Sequence, residues 1–323
     1  VGVAWDTDDY TNTGNFDNDT SANNASQVQA NALTSATPNG DGSYSITMPV
    51  AIPDGSREPF VKASGSGIAT VEGHPVFDLD ENNDGTTELT SVSVGDAHKF
   101  FSIDEADGEP VERRTSVELD KCLSCHQTLV LHGDNRADNI DSCVSCHNPR
   151  NTDRRVREQG KATPGRAVAT DGKDEESIDF KTMIHGIHAA GIRENPLQVV
   201  GFMAFSLHVY DEEHVHYPGD LANCTACHTD DGYQLPLADS VLGVTVHTGN
   251  NINTPADDTV ATPTAAVCSS CHDRPEALAH IIDSGGSFDT TQAAIDNDVQ
   301  VEQCVVCHAS GRESDVALEH RPH

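Results

Sequence analysis

Up to about residue 118 the apolar and polar positions alternate in short runs: "SYSITMPVAI", "PFVKAS", "GIATVEG", "ELTSVSV" and "HKFFSI", parted by turn formers such as "NGDGS" and "PDGS". Period-two alternation between turn residues marks half-buried strands, because successive side chains point to opposite faces. Residues 1–118 are therefore expected to form a small antiparallel β-domain, a sandwich or a barrel, although the polar residues 1–36 carry no clear pattern. Beyond it the spacing changes. "SIDFKTMIHGIHAAG" predicts a helix on which His185 and His188 lie near one face. "RPEALAHIIDSGG" predicts a short helix stopped by Gly285. "SLHVYDEEHVHYPGD" reads as a solvated loop.

Composition alters this picture in one respect. Of 323 residues only 36% are hydrophobic and 5% aromatic, too few to fill the core of two ordinary domains. Acids outnumber bases 52 to 19, a formal charge of −33. That excludes nucleic acid and anionic lipid as expected partners, since both require basic surface. No apolar run approaches the roughly 18 residues of a membrane span. The opening "VGVAWDTDDY" lacks the basic and apolar regions of a signal peptide, so a removed signal or a fragment is expected.

The cysteines supply the missing core. All ten fall into five copies of Cys-x-x-Cys-His: Cys122–Cys125–His126, Cys143–Cys146–His147, Cys224–Cys227–His228, Cys268–Cys271–His272 and Cys304–Cys307–His308. In this arrangement both thiols add to the vinyl groups of a haem and the histidine becomes its proximal iron ligand. A single motif would also suit a redox dithiol or half of a zinc site. Five copies that use every cysteine point instead to five haem c groups, whose macrocycles bring the apolar surface the side chains lack. Residues 119–323 are thus expected to be a pentahaem cytochrome c domain of short helices and loops. Haem c is attached outside the cytoplasm, which makes this an exported protein. No cysteine remains for a lipid anchor or a disulfide.

Twelve of the 17 histidines are left to close the irons from the other side. His132, six residues past His126, is one candidate, and the helix pair His185 and His188 could reach two different haems. His280 on the "RPEALAHIIDSGG" helix and His320 in "SDVALEHRPH" complete five distal ligands, with His323 close to the last. For each, the alternative is a histidine on a solvated face. His208, His214, His216, His247, His74 and His98 are not expected to ligate. Only three methionines, Met48, Met183 and Met203, offer the other common axial ligand.

Two charge features stand apart. Asp80-x-Asn82-x-Asp84-Gly85 opens like a calcium loop of the EF-hand kind, but its twelfth position is Ser91 in place of a bidentate glutamate. Calcium there competes with a plain acidic hairpin turn. "RNTDRRVREQGKATPGR" gathers Arg150, Arg154, Arg155, Arg157, Lys161 and Arg166, which suit haem propionates or a docking partner but equally serve ordinary charge balance.

"DKCLSCHQTLVLHGDNRADNIDSCVSCHNPRNTDRR", "IDFKTMIHGIHAAG" and "YPGDLANCTACH", with "GSGIATVEGHPVFDLD" upstream, resemble the outer-membrane multihaem cytochromes of metal-reducing bacteria, the OmcA/MtrC family. The resemblance covers roughly residues 40–323. It implies bis-histidine haems in a crossed arrangement, with His132, His185, His188, His280 and His320 at the family's distal positions. It also implies an extracellular or outer-membrane location and electron transfer to metal oxides, soluble metals, flavins or partner cytochromes. Members typically pair two β-domains with two pentahaem domains, so this chain corresponds to half of that plan. Two other readings compete. A multihaem reductase of nitrite or a sulfur oxyanion would need one iron with an open position. A subunit of a polymeric cytochrome filament would place its termini and β-domain against neighbours.

Overall fold

The computed structural model describes residues 1–6, 9–10, 27–56, 62–104, 108–250 and 255–322. Half of the uncertain stretch 1–36, half of "PFVKAS" and His323 lie outside them. A four-stranded antiparallel sheet runs in the order Val28–Gln29, Gly2–Trp5, Ser66–Val71, Ala97–Ser102. Ala4, Ile68 and Phe100 stand directly opposite one another on its three longer strands. They bury one face together with Tyr10 and Val144. The other face carries Trp5 and Val28, covered by Ala63 and by Met48, Val50 and Ile52.

"GIATVEG", "ELTSVSV" and "HKFFSI" all lie on strands, the second in the exposed hairpin Val76–Leu79/Glu88–Ser91. "SYSITMPVAI" behaves differently. Only Tyr44–Ser45 pairs, with Thr37–Pro38, and the remainder is apolar cover for the sheet. Pro49 and Pro53 lack the amide a ladder requires, so this segment buries its alternate side chains without pairing its backbone.

The later part of the chain is built of short helices and, among the described residues, three small hairpins, the first pairing Val130–Leu131 with Arg136–Ala137 around the turn that carries His132. The helix Phe180–His188 starts on Asp179, whose side chain accepts from the Thr182 amide, and ends against buried Ala189 and Ala190. Gly186 faces the strand Leu197–Val200, where a Cβ would lie 3.1 Å from Leu197. The helix Pro275–Asp283 stops at Gly285, which has a φ of 84°. The stretch expected to be a solvated loop contains the strand Leu207–Tyr210, antiparallel to Leu197–Val200. The reason is that Leu197–Val200 is largely buried and its backbone groups need partners. The alternation Leu207-His208-Val209-Tyr210 supplies them. The last hairpin pairs Val244–His247 with Thr259–Ala261.

Packing crosses the expected boundary at 118. Val144, inside the second Cys-x-x-Cys-His motif, belongs to the sheet's own core, and Phe180 packs beside it. Buried Asp9 bonds Arg113 at 3.1 Å and Arg114 at 3.3 Å, with Lys181 at 4.0 Å. Burial pushes its carboxyl up, but the three cations prevail and hold it below its ordinary value of 3.8. A carboxylate depressed by folding stabilises above its unfolded pKa, and that contribution disappears as pH falls through the folded value. Asp9→Asn is therefore expected to cost about 3–5 kcal/mol at neutral pH, the usual effect of leaving buried charges uncompensated. The gap from wild type should close as the medium is acidified below about pH 4. Urea unfolding at several pH values measures it, and a gap independent of pH would rule the ion cluster out as its cause.

Candidate haem-attachment sites

Each of the five motifs folds into the same turn. The histidine amide donates to the carbonyl of the first cysteine: His126 to Cys122, His147 to Cys143, His228 to Cys224 and His308 to Cys304 at 2.9 Å, and His272 to Cys268 at 2.8 Å. A helical turn places positions i, i+3 and i+4 on one face, so both thiols and the imidazole project the same way. No two of the ten cysteines are joined in a disulfide. Burial, the leading cause, pushes Cys143 and Cys268 up to about 12 and Cys271 up to about 11.

Opposite each proximal ring lies a second histidine. His126 faces His188 with ring centroids 6.1 Å apart, and His147 faces His132 at 5.9 Å. His228 faces His185 at 5.8 Å, His272 faces His320 at 6.0 Å, and His308 faces His280 at 6.1 Å. An imidazole nitrogen bonds a first-row metal at about 2.0–2.1 Å, and it lies roughly 1.1 Å from its ring centroid, so two rings across one metal sit about 6.2–6.4 Å apart. All five separations, 5.8 to 6.1 Å, fall a few tenths of an ångström short of that span. The two histidines of the helix Phe180–His188 therefore face two different motifs, the third and the first.

Several rings are pinned through Nδ1, which leaves Nε2 free for a metal. His147 bonds the Ile178 carbonyl at 2.8 Å, His188 that of Ile184 at 2.9 Å, His308 that of Ser314 at 2.9 Å and His320 that of Val316 at 3.0 Å. Burial lowers His132 to about 4, helped by Arg136 and His147. It also lowers His185 to about 4, with His228 and His188 adding to the effect. His147, His228 and His272 shift the same way, for the same leading reason. Neutral imidazole is the form that binds metal.

The other histidines have different partners. His98 meets Asn139 and Phe100, His208 meets Ser206, His214 meets Asp211 and His247 meets the Gly249 amide. His74 has a buried Nδ1 with no hydrogen bond, and its neighbours Gly73 and Glu72 bond Asn135 and Arg136, a few residues past His132. Met48 packs under the sheet. In the acidic loop, the Asp80 carboxylate accepts from the amides of Asp84 at 2.9 Å and Gly85 at 2.8 Å, and Asn82 also accepts from Asp84. These bonds suit an acidic hairpin turn and the opening of a calcium loop alike. Among the described residues no cluster of three or more carboxylates, histidines or cysteines is gathered for a metal ion.

The basic segment is mostly committed to structure. Arg157 is buried on Asp153 and Asp171, Arg154 reaches Thr248 and Gly249, and Lys161 pairs with Asp174. Arg155 differs, with a buried Nη1 that has no partner.

The motifs also touch one another. Val117 bridges to His228, Thr229 donates to the Ser116 carbonyl, and Lys121 Nζ donates to the carbonyls of Thr225 and His228. These bonds lock the first motif to the third. Cys271 lies within electrostatic reach of Cys224, and Cys268 of Cys304, which puts the fourth motif beside both the third and the fifth. Glu302 caps the helix Pro263–Ser269 through the amides of Thr264 and Ala265, at 2.9 and 2.8 Å. Beside Cys271 and His272 lies a cavity of 260 Å³ lined by Ile192, Arg274, Glu276 and Ala277. Paired rings, convergent thiols and a partly apolar cavity fit haem at these positions. Sequence reasoning missed two ring contacts that only the fold brings together: Tyr217 against His188 at 5.6 Å and Tyr233 against His228 at 6.0 Å.

Residues 114–321 match the family described as outer membrane cytochrome MtrC/MtrF-like, domains II/IV. No curated protein sequence matches the chain. Among solved structures the chain is similar to MtrC from Shewanella baltica OS185, with a TM-score of 0.53 and 16% identity, covering 95% of this chain and 44% of that one. The outer membrane decaheme cytochrome OmcA aligns with a TM-score of 0.46 and 23% identity, covering 86% of this chain and 32% of its own. The chain thus spans less than half the length of either protein.

Proposed function

Because the chain belongs to the family of MtrC/MtrF-like outer membrane cytochromes, we propose that it is an electron relay of the cell exterior carrying five haem c groups, each held by two cysteines and two histidines. The observation that carries this reading is the set of five facing histidine pairs, one for every Cys-x-x-Cys-His motif. Each haem would take up and release one electron at an iron whose two axial positions are filled. The protein's part is to hold the rings, keep them neutral and bring the sites close together.

Contacts between motifs suggest the order. The second site lies against the β-domain, with His132 tethering it to the first. The first is bonded to the third, the third adjoins the fourth, and the fourth adjoins the fifth. The helix Phe180–His188 sits at the hub. Its amide at Phe180 donates to the His147 carbonyl at 2.8 Å, while His185 and His188 face the third and first sites. Partners on this reading are other multihaem cytochromes and extracellular metal or flavin acceptors, met at a haem edge. No described helix is long and apolar enough to cross a membrane. We place the β-domain at residues 1–118 and the pentahaem domain at 119–323, with their cores joined through Val144.

Haem content per chain and low-temperature electron paramagnetic resonance on one oxidised sample test the proposal. The expected result is five haems, all low-spin. A high-spin signal equivalent to one haem would mean an open iron and would bring the reductase reading forward.

A further inference from the structure

The five histidine pairs are alike in separation but not in orientation. At the second and third sites the two rings are close to parallel, with interplanar angles of 32° for His132/His147 and 22° for His185/His228. At the other three they are nearly crossed: 72° for His126/His188, 72° for His272/His320 and 77° for His280/His308. We propose that these ring planes sort the haems into two electronic classes, crossed at the first, fourth and fifth sites and parallel at the second and third, and that Tyr217 holds the crossed geometry at the first. The inference rests on the bis-histidine reading above.

The chemistry is that of a low-spin ferric ion between two π-donor rings. Parallel rings both donate into the same iron d orbital and separate it in energy from its partner, which favours the ferric state. Crossed rings donate into orthogonal orbitals, leave the two nearly equal and stabilise the ferric state less. Axial ligands are among the levers by which a protein sets haem behaviour, and here their orientation varies while their identity does not. Crossed sites should therefore show strongly anisotropic magnetic spectra and higher reduction potentials.

Orientation is built into the chain at each crossed site. At the first, His188 is fixed by the Ile184 carbonyl one turn back. The edge of Tyr217 meets the same ring at 86°. Tyr217 also lies within electrostatic reach of Cys227 and Cys125. It thus stands where the first and third motifs meet. Its own ring rests on the turn at Gly219, where a Cβ would come within 3.2 Å of it. At the fourth site His320 is fixed by the Val316 carbonyl, and at the fifth His308 by that of Ser314. The fourth and fifth sites are neighbours and both crossed, so they form the segment on which electrons gather when the chain is partly reduced.

The experiment is low-temperature electron paramagnetic resonance of the haem-loaded full chain, in wild type, Tyr217→Leu and Tyr217→Phe. Wild type should show three strongly anisotropic and two rhombic low-spin haems. Tyr217→Leu should move one haem out of the first class while five haems per chain remain bound, and Tyr217→Phe, which keeps the ring, should restore it. An all-low-spin spectrum with any other wild-type partition, or an unchanged spectrum in Tyr217→Leu, overturns this inference alone. High-spin iron in wild type overturns the bis-histidine reading beneath it.

Discussion

Replacing His185 with alanine is expected to convert one haem of five, that of the third motif, from low-spin to high-spin, and replacing His188 to do the same at the first. Each ring faces a single proximal partner, His228 at 5.8 Å and His126 at 6.1 Å, and alanine cannot reach across that distance. The vacated axial position would then be open to water or to an added ligand such as carbon monoxide, as open metal positions are. Wild type should bind no carbon monoxide in the reduced state, each single variant one equivalent per chain, and the double variant two. The effects should be additive, because the two rings serve different sites although they share one helix. Cysteine attachment is untouched, so haem content should stay at five. An unreactive, all-low-spin spectrum in both single variants would remove these histidines from the ligand set.

The cysteine frame was legible in the sequence because its chemistry is local. Five tight turns with two thiols and an imidazole at i, i+3 and i+4 need no tertiary information. The helix carrying His185 and His188 was legible as a local element too, and the structure adds the Asp179 cap that starts it. Which ring faces which depends on long-range packing: His188 lies 62 positions from His126 in the chain, and no periodicity relates them. The hairpin Leu197–Val200/Leu207–Tyr210 was hidden by its polar flanks, since the three histidines of "SLHVYDEEHVHYPGD" masked a four-residue alternation. The basic run was open to several readings because sequence shows charge but not its partners. Buried acids brought in from elsewhere in the chain, Asp171 and Glu175 among them, settle most of it as internal structure.

That basic run contains a substitution with an expected effect on stability as large as that of Asp9→Asn, namely Arg157→Ala. The Arg157 side chain is fully buried and donates to Asp153 at 3.1 Å, to Asp171 at 2.8 Å, and to the carbonyls of Lys173 at 3.0 Å and Gln198 at 2.7 Å. Asp153 in turn accepts from the amides of Glu176 at 2.7 Å and Val200 at 2.9 Å. Alanine would leave Asp153 buried with its charge uncompensated and two carbonyls without donors. Removing one partner of a buried ion pair costs about 3–5 kcal/mol. Lys161→Ala is the control: its pair with Asp174 is exposed on both sides, and exposed pairs contribute about 0–1 kcal/mol. The damage should also reach the second haem site. Asp153 holds the segment at Glu176, two residues before the Ile178 carbonyl that fixes His147. Denaturant unfolding of the haem-loaded chain should show a large loss for Arg157→Ala and almost none for Lys161→Ala. Haem content should not change, because thioether attachment survives loosening of the fold. Equal unfolding midpoints for the two variants would mean that the buried network does not organise this part of the fold, and that the second site is held by the β-domain core around Val144 alone.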